Sequence, residues 1–235
     1  MPDCPDSFVY VACAANGGQN LNTFAYIRQN LGLLIFETYQ HASMVFQCVL
    51  LATIIGVGIS IAVYKTPWLS GLTTGISSVT FSIPSFALFG VMIPLVGLGV
   101  TPAVIALTLY ALLPIVRNSI VGLSNVDKSM VDAAKGMGMG RMGILFRIEL
   151  PLAWPVVLTG IRVATQLTVG IGAIAAYVSG PGLGDLIFSG LARLGGANSL
   201  NAILVGTVGI ILLALLFDAV YVLIGRLTTS RGLRV

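Results

Sequence analysis

Long apolar stretches without a charged residue dominate the pattern of this chain. No charged residue lies between Lys65 and Arg117, a gap of 51 positions that is long enough for two membrane-spanning helices. Shorter charge-free runs are 38–64 with 27 residues, 163–184 with 22 and 194–217 with 24. Each can cross the bilayer once, because a spanning helix needs about 20 apolar residues.

These runs predict helices rather than strands. A backbone in hydrocarbon has no water to bond to, so a spanning segment must satisfy its own hydrogen bonds. A membrane β-barrel would show alternating segments of about ten residues, and these continuous runs do not. We predict an all-α polytopic membrane protein with about five core spans, placed at about 42–64, 71–94, 100–117, 152–178 and 200–225.

Shorter polar segments set the predicted boundaries. Gly and Pro residues at 93–99 predict a turn between spans two and three. The polar run 28–30 interrupts 21–36, which favours an amphipathic piece at the membrane interface over a sixth span. Residues 1–20 carry two aspartates and no basic residue, unlike a secretory signal, and are interpreted as a polar tail. The predicted organisation is a tail and interfacial segment at 1–40, a transmembrane domain at 41–226 and a tail at 227–235.

Composition excludes a soluble globular domain. The chain is 57% hydrophobic and 9% charged, whereas soluble domains carry about 25% charged residues. The net charge of +4 is spread over the ends of the apolar runs, which argues against a nucleic-acid partner. The three cysteines, Cys4, Cys13 and Cys48, have no metal-binding spacing, and their odd number argues against a complete disulfide framework. We expect no metal and no cofactor.

The distribution of Lys and Arg predicts the orientation. If the largest polar segment, 118–150, is cytoplasmic, five spans place nine basic residues inside, at 65, 117, 128, 135, 141, 147, 226, 231 and 234. Only Arg28 and Arg193 then lie outside. The positive-inside rule therefore predicts an outside N-terminus and a cytoplasmic C-terminus.

Residues 127–151 combine a predicted short helix with a glycine-rich turn. Apolar and small residues at helical spacing predict a helix at 126–137, and either Asn125 or Asp127 can cap its start. Glycines at 136, 138, 140 and 143 then let the backbone bend or approach another chain closely. The residues alone leave two interpretations open, a solvated loop that links two spans and a knob that docks on a cytoplasmic partner.

This segment resembles the EAA loop of permease subunits of ABC importers, which would then span about 125–151. We name residues 127–151 the coupling segment. The matching positions are Asp132, Ala133, Ala134, Gly138, Ile148, Leu150 and Pro151. The one departure is Asp132, where the family usually has Glu. Three further stretches, 83–88, 110–118 and 180–187, resemble the osmoprotectant branch, which imports glycine betaine, choline, carnitine or proline betaine. The resemblance covers roughly residues 40–225.

The resemblance implies a type I ABC importer transmembrane domain in the inner or plasma membrane of a bacterial-type cell. The coupling segment would dock on a separate ATP-binding subunit, where Asp132 would fix the helix start or pair with a basic group. Ala133, Ala134 and Gly138 would allow close approach, and Pro151 would set the angle into span four. A second permease copy or paralogue and an extracytoplasmic solute-binding protein, docked near 180–184, are the other implied partners.

The chain itself is not expected to be an enzyme. It has no Gly-x-x-x-x-Gly-Lys-Ser/Thr phosphate loop, so the ATP-binding partner would supply ATP hydrolysis.

Arg162 and Asp218 are the ionisable residues inside the predicted spans. Arg162 lies 11 residues after Pro151, and Asp218 lies 8 residues before Arg226. At 1.5 Å per residue they lie about 16 Å and about 12 Å from the same face. The similar depths predict an ion pair between spans four and five, and a structural pair is favoured over a transport site.

Prolines and aromatic residues in the spans are weaker candidates for a substrate path. Pro84 and Pro114 either break helices near such a path or are tolerated kinks. Five aromatic residues either bind a quaternary ammonium by cation–π contacts or only pack, namely Phe81, Phe86, Phe89, Tyr110 and Tyr177.

Three alternatives to an osmoprotectant permease follow from the sequence. An intramembrane protease would need Ser77, in the run Gly75-Ile76-Ser77-Ser78, within about 3 Å of His41, yet the two are expected near opposite faces. A stand-alone secondary transporter would usually show inverted repeats, and none are visible. An ABC permease for another small solute, such as an amino acid, is the third.

Overall fold

A computed structural model of the protein describes residues 21–228, which form helices and turns with no strand. The α-helices in this range are α1 Thr23–Gln29, α2 Leu31–Val63, α3 Pro67–Ser82, α4 Ser85–Val96, α5 Val100–Ser124, α6 Lys128–Gly136, α7 Arg141–Ile144, α8 Leu150–Gly172, α9 Gly184–Ala192 and α10 Ser199–Thr228. A π-helical turn, Leu145–Glu149, joins α7 to α8, and a 3-10 helix, Ala173–Val178, follows α8. The predictions for 1–20, with Cys4 and Cys13, and for 229–235 lie outside the described residues.

Four helical stretches are long and apolar enough to cross a membrane, namely α2, α5, Arg141–Val178 and α10. The pair α3–α4 passes the same test but is bent by 92°, and it supplies a fifth span if the pair is counted as one. The all-α polytopic prediction is confirmed. The predicted second span at about 71–94 corresponds to the pair α3–α4, and the chain turns sharply between the two helices.

The predicted interfacial piece at 21–36 is divided between two helices. α1 ends beside Asn30, whose side chain donates a hydrogen bond to the Tyr26 carbonyl at 2.9 Å. α2 then starts at Leu31, well before the predicted start of span one at 42, and runs for 33 residues. At 1.5 Å per residue, α2 is about 50 Å long, which exceeds the roughly 30 Å hydrocarbon core. Part of α2 therefore extends beyond the hydrocarbon.

The third span is also longer than predicted. α5 continues to Ser124 rather than ending near 117, because Arg117 is exposed and does not interrupt the buried face of the helix. Ser119, Gly122 and Leu123 remain buried beyond it.

Helices α2, α5 and α8 pack closely against one another, and we name them the packed half. Small side chains make this possible, since a Cβ on Gly160 of α8 would lie 2.8 Å from the Pro114 carbonyl oxygen of α5. A Cβ on Gly122 of α5 would lie 3.1 Å from the Ala153 carbonyl oxygen of α8. Such close approach of backbones is typical of membrane helix pairs.

We name α3 and α10 together the open half, because each of them buries little of its surface. Within the described residues, no residue of α3 is buried. Only 11% of the most apolar window of α10 is buried, compared with 50% for α5. The open half therefore presents most of its apolar surface to lipid or to another chain.

Candidate functional site

The coupling segment begins with a well-capped helix. The Ser129 backbone N–H donates to Asp127 Oδ1 at 2.9 Å, so Asp127 is the N-cap of α6. Asn125, the other predicted cap, instead ends α5. The hydrogen bond from Ser129 lowers the pKa of Asp127 below its ordinary value. The carboxylate therefore stays charged at the positive end of the helix dipole.

The predicted Asp-Ala-Ala positions lie inside α6 and face different ways. Asp132 is exposed and pairs with Lys135 one turn along, at 2.8 Å. It lies inside the helix, so the start of α6 is capped by Asp127 and not by Asp132. Ala133 is exposed, whereas Ala134 is fully buried within the chain. Of the two alanines, Ala133 is thus the one accessible to a partner.

Gly138 ends α6 through its backbone conformation. Its φ is +80°, a left-handed value that residues with a Cβ rarely adopt. Its N–H donates to the Lys135 carbonyl at 2.9 Å, and the next N–H, from Met139, donates to the Ala134 carbonyl at 3.1 Å. These bonds satisfy carbonyls at the helix end, as is usual where a helix closes on glycine.

Three methionines of the coupling segment are exposed. Met130, Met137 and Met142 have exposed fractions of 51%, 75% and 64%. Exposed methionines are common on protein-binding surfaces, because the flexible thioether adapts to varied partners. This apolar surface, on and beside the short capped helix α6, favours a docking knob over a solvated linker.

The coupling segment leads into α8 through the π-helical turn Leu145–Glu149. Ile148 and Leu150 are half-buried on either side of the end of this turn. Pro151 lies in the first turn of α8, which follows the π-helical turn without a break, since the Leu150 N–H donates to the Leu145 carbonyl. The chain is therefore helical without a break from Arg141 to Val178.

Glu149 is a buried carboxylate that the sequence reasoning missed. Its residue exposure is 4%. The Tyr64 hydroxyl donates to Glu149 Oε2 at 2.6 Å, and Lys65 Nζ lies 3.5 Å from Oε1. The only signal in the sequence was a charge between two apolar motif positions, and its partners are 84 and 85 positions away.

The chain bends sharply at Pro84, whereas Pro114 lies inside a continuous helix. Ile83, the residue before Pro84, has an extended conformation with ψ of 128°, as expected before proline. The Tyr110 hydroxyl of α5 donates to the Ile83 carbonyl, so one acceptor at the break is satisfied. Pro114 lies inside α5, and its carbonyl accepts from Asn118 Nδ2 at 2.8 Å. Of the two prolines, only Pro84 matches the broken helices of transporters.

The five predicted aromatic residues do not form a single cage. The rings of Phe81 and Tyr110 meet edge to face at 5.9 Å. Phe86 and Tyr177 meet at 5.3 Å, and Phe188, which was not predicted, lies 6.3 Å from Phe86. Phe89 is fully buried in the core. Only Phe86 and Tyr177 are about half exposed and accessible to a solute.

Arg162 and Asp218 contact each other between α8 and α10. Arg162 Nε lies 2.6 Å from Asp218 Oδ1, and a second guanidinium nitrogen lies 2.7 Å from Oδ2. Gln166 adds a contact of 3.3 Å to Oδ1. The Arg162 and Asp218 side chains are 44% and 32% exposed, so the pair lies at the surface of the described chain.

Glu37 is a second buried carboxylate that the sequence reasoning missed. Its Oε2 accepts a hydrogen bond from the Gly182 N–H at 3.1 Å. A Cβ on Gly182 would lie 2.8 Å from His41 Nδ1, so the turn at 180–184 lies directly against α2.

The geometry argues against the protease alternative. The Ser77 hydroxyl donates to the Thr73 carbonyl at 2.9 Å, while the buried His41 ring contacts the Val169 carbonyl at 3.1 Å. Each group is thus engaged elsewhere. Among residues 21–228, no three His, Cys, Asp or Glu side chains are grouped to hold a metal ion.

Comparisons with known proteins agree with this geometry. The family described as "Binding-protein-dependent transport system inner membrane component" matches residues 54–230. The osmoprotectant import permease protein OsmW of Salmonella typhimurium is 36% identical over 219 residues, covering 91% of this chain and 100% of OsmW. The choline transport system permease protein OpuBB of Bacillus subtilis is 33% identical over 209 residues, covering 89% and 94%.

A solved structure shows the same fold. A chain of the MetNI methionine ABC transporter, in an inward-facing conformation, superposes with a TM-score of 0.76 at 23% identity. The match covers 85% of this chain and 98% of that one. From the family match and these relatives, the chain belongs to the family of binding-protein-dependent transport system inner membrane components, and it has the type I fold of ABC importer permeases.

Proposed function

We propose that this chain is the permease subunit of an ATP-driven importer of compatible solutes, such as glycine betaine or choline. Docking on a separate ATP-binding subunit is supported by one observation, the form and exposure of α6. α6 is a helix capped at both ends on which Asp132, Ala133 and Met130 are exposed, and its C-cap residue Met137 is exposed as well. The coupling segment then lies in the cytoplasm and docks on a separate ATP-binding subunit, which hydrolyses ATP.

The substrate class is supported by the relatives and by the surface near the break at Pro84. OsmW and OpuBB are described as permeases for osmoprotectants and for choline. The half-exposed rings of Phe86 and Tyr177 lie in edge contact beside the break. Aromatic faces attract quaternary ammonium groups, which these solutes carry.

The proposed assembly has further partners. A solute-binding protein delivers substrate at the end of the bundle opposite α6, near 180–184. A second permease copy or a paralogue covers the open half and completes the pathway. The transmembrane domain is taken as 41–226.

The test is uptake into proteoliposomes that contain this chain, an ATP-binding subunit and a solute-binding protein expressed with it. We expect ATP-dependent uptake of labelled glycine betaine or choline, and copurification of the ATP-binding subunit. Met137→Asp places a charge on the most exposed methionine of the coupling segment and should lower both by about tenfold, or about 1.4 kcal/mol. Asn125→Asp adds the same charge just before the coupling segment and is the matched control.

Three outcomes would contradict the proposal. Uptake without ATP would indicate a secondary transporter, and uptake of amino acids alone would indicate a different substrate class. Unchanged copurification and uptake in the Met137→Asp variant would show that α6 does not dock.

A further inference from the structure

Glu149 holds a buried charge where the coupling segment meets the membrane spans. Its side chain is only 5% exposed, whereas Lys65 beside it is 42% exposed. A carboxylate removed from water is costly unless it is paired and hydrogen-bonded. The position therefore requires partners, and it has two.

Tyr64 is the closer partner. Its hydroxyl lies 2.6 Å from Glu149 Oε2, which is a short hydrogen bond to a carboxylate. Burial and the contact with Glu149 raise the pKa of Tyr64 above its ordinary value, so the phenol keeps its proton and acts as the donor. Lys65 supplies the opposite charge at 3.5 Å and also lies 5.2 Å from the centre of the Tyr64 ring.

These partners come from a distant part of the chain. Tyr64 and Lys65 directly follow α2, and Glu149 is the last residue of the π-helical turn before α8. α6 in turn packs against α7 and the π-helical turn. A continuous set of contacts thus runs from α6, through the π-helical turn and Glu149, to the end of α2.

We propose that Glu149 is a positioning residue that fastens the end of α2 to the coupling segment, so that displacement of α6 by the ATP-binding subunit also moves α2. The inference rests on the proposed function, since it assumes that α6 docks on that subunit. α2 is the longest helix of the described chain and packs against both α5 and α8. The Tyr64–Glu149 contact adds a directional polar connection from α2 to the moving segment, whereas surfaces held by apolar packing alone can slide past each other.

The test separates ATP hydrolysis from uptake in the complete reconstituted transporter. Tyr64→Phe removes one hydroxyl and leaves the ring in place. We expect the ATP-binding subunit to copurify and hydrolyse ATP at the wild-type rate, while solute transported per ATP falls about threefold or more. Tyr39→Phe is the matched control, because Tyr39 lies on α2, which Tyr64 directly follows, and is 71% exposed. It should transport as the wild type does.

Two variants of Glu149 sharpen the test. Glu149→Gln keeps an oxygen that can accept from Tyr64 and should retain more transport per ATP than Glu149→Leu. Adding Tyr64→Phe to Glu149→Leu should cause no further loss, because both changes remove the same contact. If Glu149→Leu does not fold, Tyr64→Phe and Glu149→Gln still test whether the Tyr64–Glu149 contact is needed for transport.

The inference is overturned if Tyr64→Phe transports as much solute per ATP as the wild type. It is also overturned if hydrolysis, uptake and thermal stability fall together, which would show a structural contact only. Both results leave the proposed function intact, since that stands on ATP-dependent uptake by the wild type and on the Met137→Asp variant.

Discussion

Glycine has opposite surroundings where the helices of the packed half meet and along α3 of the open half. In the packed half, Gly160 and Gly122 lie where an added Cβ would press against a neighbouring helix. In the open half, a Cβ added to Gly71 or Gly75 of α3 would meet no described atom within 4 Å. The same residue type therefore permits close helix contact in the packed half and leaves a free surface on α3, whereas Gly206 of α10 is packed against α9.

That difference indicates where the chain completes its own fold and where lipid or another subunit must cover it. α2, α5 and α8 bury a shared core that includes Val45, Ile115 and Val157. α3 and α10 bury little, although α10 has the highest mean hydropathy of the candidate spans, 2.6. Hydropathy thus places a helix in the membrane, but only burial distinguishes a neighbour within the chain from lipid or another subunit.

The largest expected effect is that of a methyl group added in the packed half, compared with the same addition in α3. Gly160→Ala should destabilise the protein by about 1–3 kcal/mol, since overpacking a tight contact forces backbone shifts. Its new Cβ would lie 2.7 Å from Asn118 Cβ and 2.8 Å from the Pro114 oxygen, and a backbone oxygen cannot swing aside. Gly75→Ala should be neutral or slightly stabilising, because alanine favours helix over glycine. Thermal unfolding in detergent measures the stability of both variants. An equal change in stability would show that the packed half and α3 tolerate an added methyl group equally.

The next effect concerns one of the contacts between α8 of the packed half and α10 of the open half. Arg162 of α8 and Asp218 of α10 form a bidentate ion pair. Replacing either one by alanine leaves a charge without its partner in a span, which is unfavourable. We expect less folded protein in membranes for each single variant.

Exchanging the two charges, Arg162→Asp with Asp218→Arg, should recover much of the loss. Membrane yield and size-exclusion profiles report the outcome. Recovery no better than in the single variants would show that the pair does not hold α10 to α8.

The smallest effect concerns the contact that joins α5 to the break after α3. Tyr110→Phe removes the hydrogen bond to the Ile83 carbonyl. A typical hydrogen bond contributes about 1 kcal/mol, so the loss of stability should be of that order. Hydrogen exchange should increase around 80–86 and remain unchanged in the packed half. An equal increase in both halves would show that the break and the core unfold as one unit.

Much of the architecture could be predicted from the sequence because it depends on local properties. Charge-free runs located the spans, since the bilayer demands a minimum apolar length. Helix α6 was predicted at 126–137 and is observed at Lys128–Gly136. The prediction was close because capping and helical spacing are encoded within a few residues. The start of α2 was missed because Glu37, which interrupts the apolar pattern, is buried against Gly182.

The details of the candidate site depended on residues far apart in the chain. In the sequence, Pro84 and Pro114 were equivalent candidates for a break. The structure separates them, because Pro84 follows an extended Ile83 between α3 and α4, whereas Pro114 lies inside the continuous helix α5. The buried Glu149 could not be recognised, since its burial follows from packing against the end of α2.

By itself, the sequence determined a helical membrane protein with about five spans and an EAA-type segment between spans three and four. These properties follow from hydrophobic length and from motif spacing, which are read along the chain. Only the tertiary structure decided which carboxylates are buried, where a span breaks and which helices remain uncovered. Those depend on which distant side chains meet, such as Tyr64 and Glu149, and on the close approach that glycines such as Gly160 permit.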